Sequence, residues 1–375
     1  MDERHLAERL ITYDTSTPEG LGAAAGFVKG WLQSHDIDVR DRDHGGRSVL
    51  SADIGAPHGA GAHEVIWHGH LDVVPARPEQ FVPRVEGDRL IGRGAYDMKG
   101  ALAAMMCALT DVANQREVCV RFVCVPDEES EDLEDLATDA LVADGFGGDF
   151  AITGEPTDMH IGIEAKGVLA MRLIVSGRAA HSSTPWLGDN AVLKAVDVFR
   201  AIESLPFSRE SSELFDRPSI NLGRILGGDA LNKVPDTCAI DIDVRYLPEQ
   251  DAGEILAQVR ALDEVEVVRT FIRRPASVPR TDPYVGALRE AVGRHARGDV
   301  LSVGRDGASD AVAFLDAGIP AVEFGPSGAG HHGPDEWVSI SSLERYRQAL
   351  STFVAALPGA LTKPRALRTV AEGER

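Results

Sequence analysis

The chain has 375 residues, 43% hydrophobic and 26% charged, which suits a globular protein with enough core for two or three domains. A formal net charge of −21 argues against nucleic acid as a partner, since phosphate recognition needs clustered Lys and Arg. No apolar run approaches the roughly 20 residues that span a bilayer, so no membrane partner is expected.

Met1-Asp2-Glu3-Arg4-His5 carries neither the basic nor the apolar region of a signal peptide, and a cytoplasmic location is expected. Residues 4 to about 36 carry a helical pattern broken at Thr15-Ser16-Thr17-Pro18-Glu19-Gly20, with Phe27, Trp31 and Leu32 facing a core. Val49 to Ile54 reads as a strand. In the Gly/Ala/His loop that follows, His58 and His63 are expected to be solvated. The run Val65-Ile66-Trp67 reads as a buried strand that delivers His68-Gly69-His70-Leu71-Asp72 to its carboxyl end. There His70 can ligate a metal through one ring nitrogen while Asp72 accepts the N–H of the other.

Leu90 to Gly100 is glycine-rich, but no Ser or Thr follows Lys99 where a phosphate loop requires one. What remains is a tight turn that presents Asp97, as an N-cap or as a ligand, and opens a helix over Ala101 to Val112. Val118 to Val125 is almost continuously apolar and reads as an internal strand of a parallel sheet. It ends in Pro126-Asp127-Glu128-Glu129-Ser130, where adjacent carboxylates are costly unless a cation or solvent absorbs their charge. The acidic stretch Glu131 to Asp135 fits the solvent reading. Phe150 to Thr153 is a further strand, followed by Gly154-Glu155. Asp97, Glu129 and Glu155 thus come to positions like that of His70, and open α/β sheets build their sites beyond the carboxyl ends of strands. Cys107, Cys119, Cys124 and Cys238 show no Cys-x-x-Cys spacing and read as buried reduced thiols.

From about Lys166 the pattern changes to period two, as in a half-exposed antiparallel sheet. A loop with His181, a helix from Asn190 to Ile202, strands at Ser219 to Ile225 and Cys238 to Tyr246, a helix at Ala252 to Leu262 and a strand at Val265 to Phe271 follow. Residues 166–275 therefore read as an inserted α+β domain of βαββαβ order, with 1–165 and 276–375 forming the other domain. Asp282 to His295 reads as helical, and Asp306-Gly307-Ala308-Ser309-Asp310 opens another helix. Ala321 to Phe324 is a last strand, leading to His331-His332-Gly333-Pro334-Asp335-Glu336 and a second source of nitrogen ligands. A helix from Ser341 to about Ala356 follows, and the tail after Pro358 is expected to be disordered.

Taken in order, these motifs resemble the zinc-dependent aminoacylase, carboxypeptidase and desuccinylase family, from about Leu6 to Phe353. The resemblance implies an α/β catalytic domain with a mixed, mostly parallel sheet, plus a lid through which two copies dimerise. It implies two Zn2+ ions, with Co2+ or Mn2+ as possible substitutes. His70 and Glu155 would hold one ion, Glu129 and His332 the other, and Asp97 would bridge them. Asp72 would orient His70, Glu128 would be the general base, and His181 would reach the partner subunit's site to stabilise an oxyanion. His331 is the alternative ligand, and the resemblance, through the spacing to Pro334-Asp335-Glu336, favours His332. Asn232 and Arg245 match substrate-binding positions of the lid; Arg245 has a rival role as an ion pair with Asp241 or Asp243. Ser309 belongs to a Gly-Ala-Ser-Asp stretch that resembles a desuccinylase Gly-Thr-Ser-Asp pattern, with Ala308 where Thr is usual. The run from Asn221 to Asn232 instead resembles the acetylornithine deacetylase branch, so the two stretches point to different acyl groups. The implied activity is hydrolysis of an N-acyl amino acid. A dipeptide-cleaving exopeptidase is the alternative, and a non-catalytic binder of amino-acid derivatives is a more distant one. A dinuclear phosphoesterase would want basic residues near the metals, where the motifs offer only Arg93 and Lys99.

Overall fold

In a computed structural model, which describes residues 2–130 and 136–361, the chain divides into two compact units. One comprises Met1–Ile163, Val278–Ser302 and Ala313–Arg375, the other Glu164–Ser277 and Val303–Val312. The acidic stretch Glu131 to Asp135 and the tail from residue 362 onward lie outside the described residues.

The first unit starts with helices α1 (Glu3–Ile11) and α2 (Pro18–Gln33). Thr17 caps α2 by accepting the Gly20 N–H, and Pro18 follows in the first turn, where a missing N–H costs nothing. Then come β1 (Arg40–His44), β2 (Arg47–Gly55), β3 (His63–His70), β4 (Arg84–Glu86), β5 (Arg89–Ile91), α3 (Gly100–Val112), β6 (Val118–Val125), α4 (Ala137–Ala143), β7 (Phe150–Thr153) and β8 (Ile161–Ala165). The second unit supplies β9 (Gly167–Ser176), α5 (Ala191–Ile202), β10 (Ser219–Gly227), β11 (Thr237–Tyr246), α6 (Ala252–Arg260) and β12 (Val265–Arg273), the βαββαβ order expected from the pattern. After these come β13 (Ala276–Ser277), α7 (Pro283–Gly293), β14 (Ser302–Arg305), α8 (Ala311–Asp316), β15 (Ala321–Glu323), β16 (Gly328–Ala329), β17 (Trp337–Ser339) and α9 (Ile340–Ala360).

The main sheet runs β1-β2-β6-β3-β7-β15-β8. Its centre is parallel (β6 with β3, β3 with β7, β7 with β15), while β2 and β8 pair antiparallel with their neighbours. Every residue of β6 is buried, including Arg121, which interrupts the apolar run and pairs with Asp53 at 3.1 Å. Helix α3 is buried along most of its length and packs against α1 and α9, and α7 packs on α9. A small antiparallel sheet, β16-β17-β5-β4, lies outside the sequence expectation because its strands are two or three residues long.

In the second unit the sheet order is β10-β11-β9-β12. Alternate residues of β11, from Cys238 to Tyr246, face a core shared with Leu169, Leu173 and Val175 of β9, Phe199 of α5, and Ile255 and Val259 of α6. The period of two seen in the sequence is this inside–outside alternation.

Two expectations are corrected. His63 is not solvated: it is buried at the start of β3, its ring 2.9 Å from Tyr284 Oη and 3.0 Å from the Leu361 carbonyl. Order does not stop at Pro358, since α9 continues through it to Ala360. The four cysteines are free and buried. Among the described residues no helix is long and apolar enough to cross a membrane.

Candidate metal centre

Parallel pairing sets where the ligands emerge. His70 stands opposite Val125 of β6, and His68 opposite Thr153 of β7. The turns carrying Glu128, Glu129 and Glu155 therefore leave the sheet beside His70. Glu323 of β15 is also in register with Thr153, and the chain leaving it leads to His332. The carboxyl ends of four adjacent strands thus feed one place.

There, the two carboxylate oxygens of Asp97 face different histidines. Oδ1 lies 3.2 Å from His70 Nε2, and Oδ2 lies 3.5 Å from His332 Nε2. Glu155 Oε1 is 3.7 Å from His70 Nε2, and Glu129 Oε1 is 2.8 Å from His332 Nε2. Two donor groups result, His70–Asp97–Glu155 and Asp97–Glu129–His332, each with its ligand atoms within 4.8 Å of one another. Asp97 is not the N-cap: Lys99 holds the cap position of α3, without a side-chain capping bond. His331 is in neither group and packs its ring edge against Tyr96.

Asp72 meets His70 with two groups. His70 Nδ1 meets the backbone carbonyl of Asp72 at 3.0 Å, with the carboxylate farther away at 3.4 Å. The carboxylate accepts the N–H groups of Glu128 and Glu129, at 3.2 and 2.7 Å. Asp72 thus faces His70 Nδ1 with both its carbonyl and its carboxylate, and the carboxylate also holds the Glu128–Glu129 turn.

The electrostatics favour a bound cation. Burial, and then the neighbouring Asp97 carboxylate, push Glu155 well above the usual carboxylate range. Burial opposes ionisation of Asp97 too, but His332 and His70 outweigh it and hold that carboxyl far below its ordinary value. His332 is pushed up to about 10 by its interactions with Asp97 and then Glu129. Among the described residues Glu155 Oε1 is buried with no hydrogen-bond partner, a cost that coordination would remove. Two imidazoles and three carboxylates are nitrogen and oxygen donors that suit Zn2+.

Sequence reasoning gave Glu336 no role and did not foresee its pairing with Arg93. The Glu336 carboxylate accepts bonds from Arg93 Nη1 at 2.7 Å and from the backbone N–H groups of Gly94, Tyr96 and Asp97, each at 3.0 Å. An acidic residue following His-His-Gly-Pro-Asp was the available signal, but its partners are main-chain atoms that no side-chain motif displays.

The remaining expected residues lie in the second unit. His181 is exposed, with Nδ1 2.8 Å from Ser183 Oγ. Asn232 is exposed, and its carbonyl accepts the Ser182 N–H at 3.0 Å, so the two loops are joined. A cleft of about 580 Å³ between these loops is lined by Ser182, Asn190, Asp229 and Lys233, among others. Arg245 Nε contacts both oxygens of Asp243, at 3.1 and 3.0 Å, while Asp241 pairs with Arg172. Ser309 is buried, and its Oγ accepts the Ala311 N–H at the start of α8.

The profile of peptidase family M20/M25/M40 matches residues 66–356. The chain is 30% identical over 369 residues to a succinyl-diaminopimelate desuccinylase of Sphingopyxis alaskensis, covering 92% of this chain and 95% of that one. It is 29% identical over 379 residues to the enzyme of the same name from Beijerinckia indica, covering 90% and 94%. Among solved structures, a tripeptidase from Staphylococcus aureus superposes with a TM-score of 0.76 at 20% identity, covering 94% of this chain and 96% of that one. An M20 family metallo-carboxypeptidase from Sulfolobus solfataricus gives 0.75 at 18% identity, covering 94% and 99%.

Proposed function

The chain belongs to peptidase family M20/M25/M40 and is a hydrolase of amides, and from that premise we propose that it is a two-zinc enzyme removing the acyl group of an N-acyl amino acid. The observation that carries the two-metal reading is the position of Asp97, whose two oxygens serve separate groups of donors. His70 and Glu155 would hold one ion, Glu129 and His332 the other. Bound there, the ions would polarise the amide carbonyl and lower the pKa of water.

The protein's own groups supply the rest. Glu128 takes a proton from the attacking water, whose oxygen bonds to the carbonyl carbon. As the carbon–nitrogen bond breaks, Glu128 passes that proton to the departing amine. His181 stabilises the negative charge that builds on the carbonyl oxygen, a contribution of about 3–4 kcal/mol in comparable sites. Asn232 and Arg245 bind the polar groups of the substrate, and Ser309 supports that side. The Arg245–Asp243 contact bears on this assignment, since the guanidinium must offer its other N–H groups to a carboxylate.

We further propose a homodimer formed through the second unit, with His181 acting in the partner's centre. Leu193 and Val196 on α5 and Ile225 and Leu226 on the edge strand β10 are exposed apolar groups that a second copy would cover. The full-length relatives at 29–30% identity carry a desuccinylase name, which favours deacylation over dipeptide cleavage. A purely binding role has no use for Glu128 beside the ligands.

The test is amine release by zinc-loaded protein from N-acetyl, N-succinyl and N-formyl amino acids and from dipeptides. Selective release from one acyl class supports the deacylase reading and names its acyl group. Release only from dipeptides replaces it with the exopeptidase. No release from any, with both ions bound, overturns both for these substrates.

A further inference from the structure

The antiparallel register of β5 and β17 sets Trp337 opposite Ile91, so Glu336 meets the residues that follow Ile91. The Gly92 N–H donates to the Glu336 carbonyl at 3.0 Å, and the side chain then turns in under the loop that carries Asp97. Glu336 is 1% exposed, and all four donors to its carboxylate come from residues 93–97. Arg93 is 3% exposed and uses both ends of its fork: Nη1 on Glu336, and Nη2 on the His332 carbonyl at 3.1 Å. A second tie joins the same two loops, since Asp158 accepts both the Tyr96 hydroxyl and the Gly328 N–H, at 3.0 and 3.1 Å.

We propose that Arg93 and Glu336 are positioning residues that set the spacing between the two metal groups, with Glu336 fixing the peptide of Asp97 and Arg93 carrying that constraint to the backbone of His332. The proposal rests on the two-metal reading. His332 needs such support. Its side chain is 48% exposed and its φ is +61°, a left-handed conformation that is uncommon outside glycine. His70 and Glu155 have other support: His70 ends a central strand, and Glu155 follows another. The two groups therefore differ in what they lose when Arg93 is changed. Without the bond to the His332 carbonyl, the Asp97–Glu129–His332 group loosens, and the His70–Asp97–Glu155 group keeps its geometry as long as Glu336 still grips the Asp97 loop.

The test is zinc titration of the full chain in a chelator-buffered series, with bound zinc counted by elemental mass spectrometry and heats measured by calorimetry. Arg93→Lys keeps the positive charge beside Glu336 but has one nitrogen for two acceptors. It should bind one ion with native affinity and the other about 10- to 100-fold more weakly, the range seen when partners of metal ligands are removed. Its metal-free form should keep the native circular dichroism and a single cooperative melt, which a general folding defect would not allow. Glu336→Gln should weaken both ions, since Asp97 serves both groups. Two ions at native affinity in either variant would overturn the proposal. If Arg93→Lys fails to fold, Glu336→Gln decides alone by the same criterion. Unaltered protein that takes up a single ion would instead overturn the two-metal reading on which the proposal stands.

Discussion

Asp72 holds Glu129 by its main chain: the Glu129 N–H donates to Asp72 Oδ2 at 2.7 Å. The carbonyl of the same aspartate receives His70 Nδ1. A side-chain substitution therefore removes the acceptor of the Glu128–Glu129 turn and the nearby carboxylate, and leaves the carbonyl contact to His70 in place. Asp72→Ala should keep the His70 contact and release the Glu128–Glu129 turn. Turnover per KM should fall about 10- to 100-fold, with zinc lost from the Glu129 group first. Equal loss from both groups, measured by zinc titration, would show that the carboxylate chiefly serves His70.

Glu128→Ala should retain zinc and lose several orders of magnitude in kcat, since a positioned base contributes about 10²- to 10⁴-fold. Zinc content and kcat are measured on the same preparation. A near-native rate would remove Glu128 from the role of base.

His181→Ala should cripple turnover with metal content unchanged. Mixed dimers of His181→Ala and Glu128→Ala chains each contain one combination of intact groups if the histidine acts across the interface. Partial recovery of activity on mixing is the expected result. Absence of recovery in verified mixed dimers would place His181 in its own subunit's chemistry or outside it.

The four thiols should be silent in the native state. Burial pushes Cys107 and Cys119 up to about 12, and Cys124 higher still. Iodoacetamide at pH 8 should label none of the four until the chain is unfolded, because the thiolate is the reacting form. The sign for stability follows from linkage. Unfolded thiols release protons near pH 8.5 while the folded ones hold theirs, so these groups stabilise the fold below about 8.5 and that contribution is lost as pH rises towards 12. Labelling mass and alkaline melting curves check the two statements.

The parts of this fold legible in the sequence are those where burial writes a pattern. Strands β6 and β7 stand out as apolar runs, and β11 shows the inside–outside alternation of a half-covered sheet. Strand β1, Arg-Asp-Arg-Asp-His, has no such signature: it is almost wholly exposed and is held by backbone pairing to β2. The three-residue strands β4, β5 and β17 are too short to establish a period. The candidate donors could be anticipated because imidazole and carboxylate side chains are visible as letters, and the structure gathers those five residues into two groups that share Asp97. Asp72 could be placed beside His70, but its hold on the Glu128–Glu129 turn and the contacts of Glu336 could not, because both act on peptide N–H groups, which every residue but proline has. His63 misled for a related reason: its partners are a tyrosine more than 200 residues away and a backbone carbonyl near the last helix.

Strand β15 pairs with β7, yet the whole second unit is encoded between them. During synthesis, the segments bearing His70, Asp97, Glu129 and Glu155 leave the ribosome long before His332 does. A chain interrupted within the second unit would carry four of the five donor residues and lack His332. The residues of the His70–Asp97–Glu155 group are thus all made before the second unit, and the Asp97–Glu129–His332 group is complete only after it.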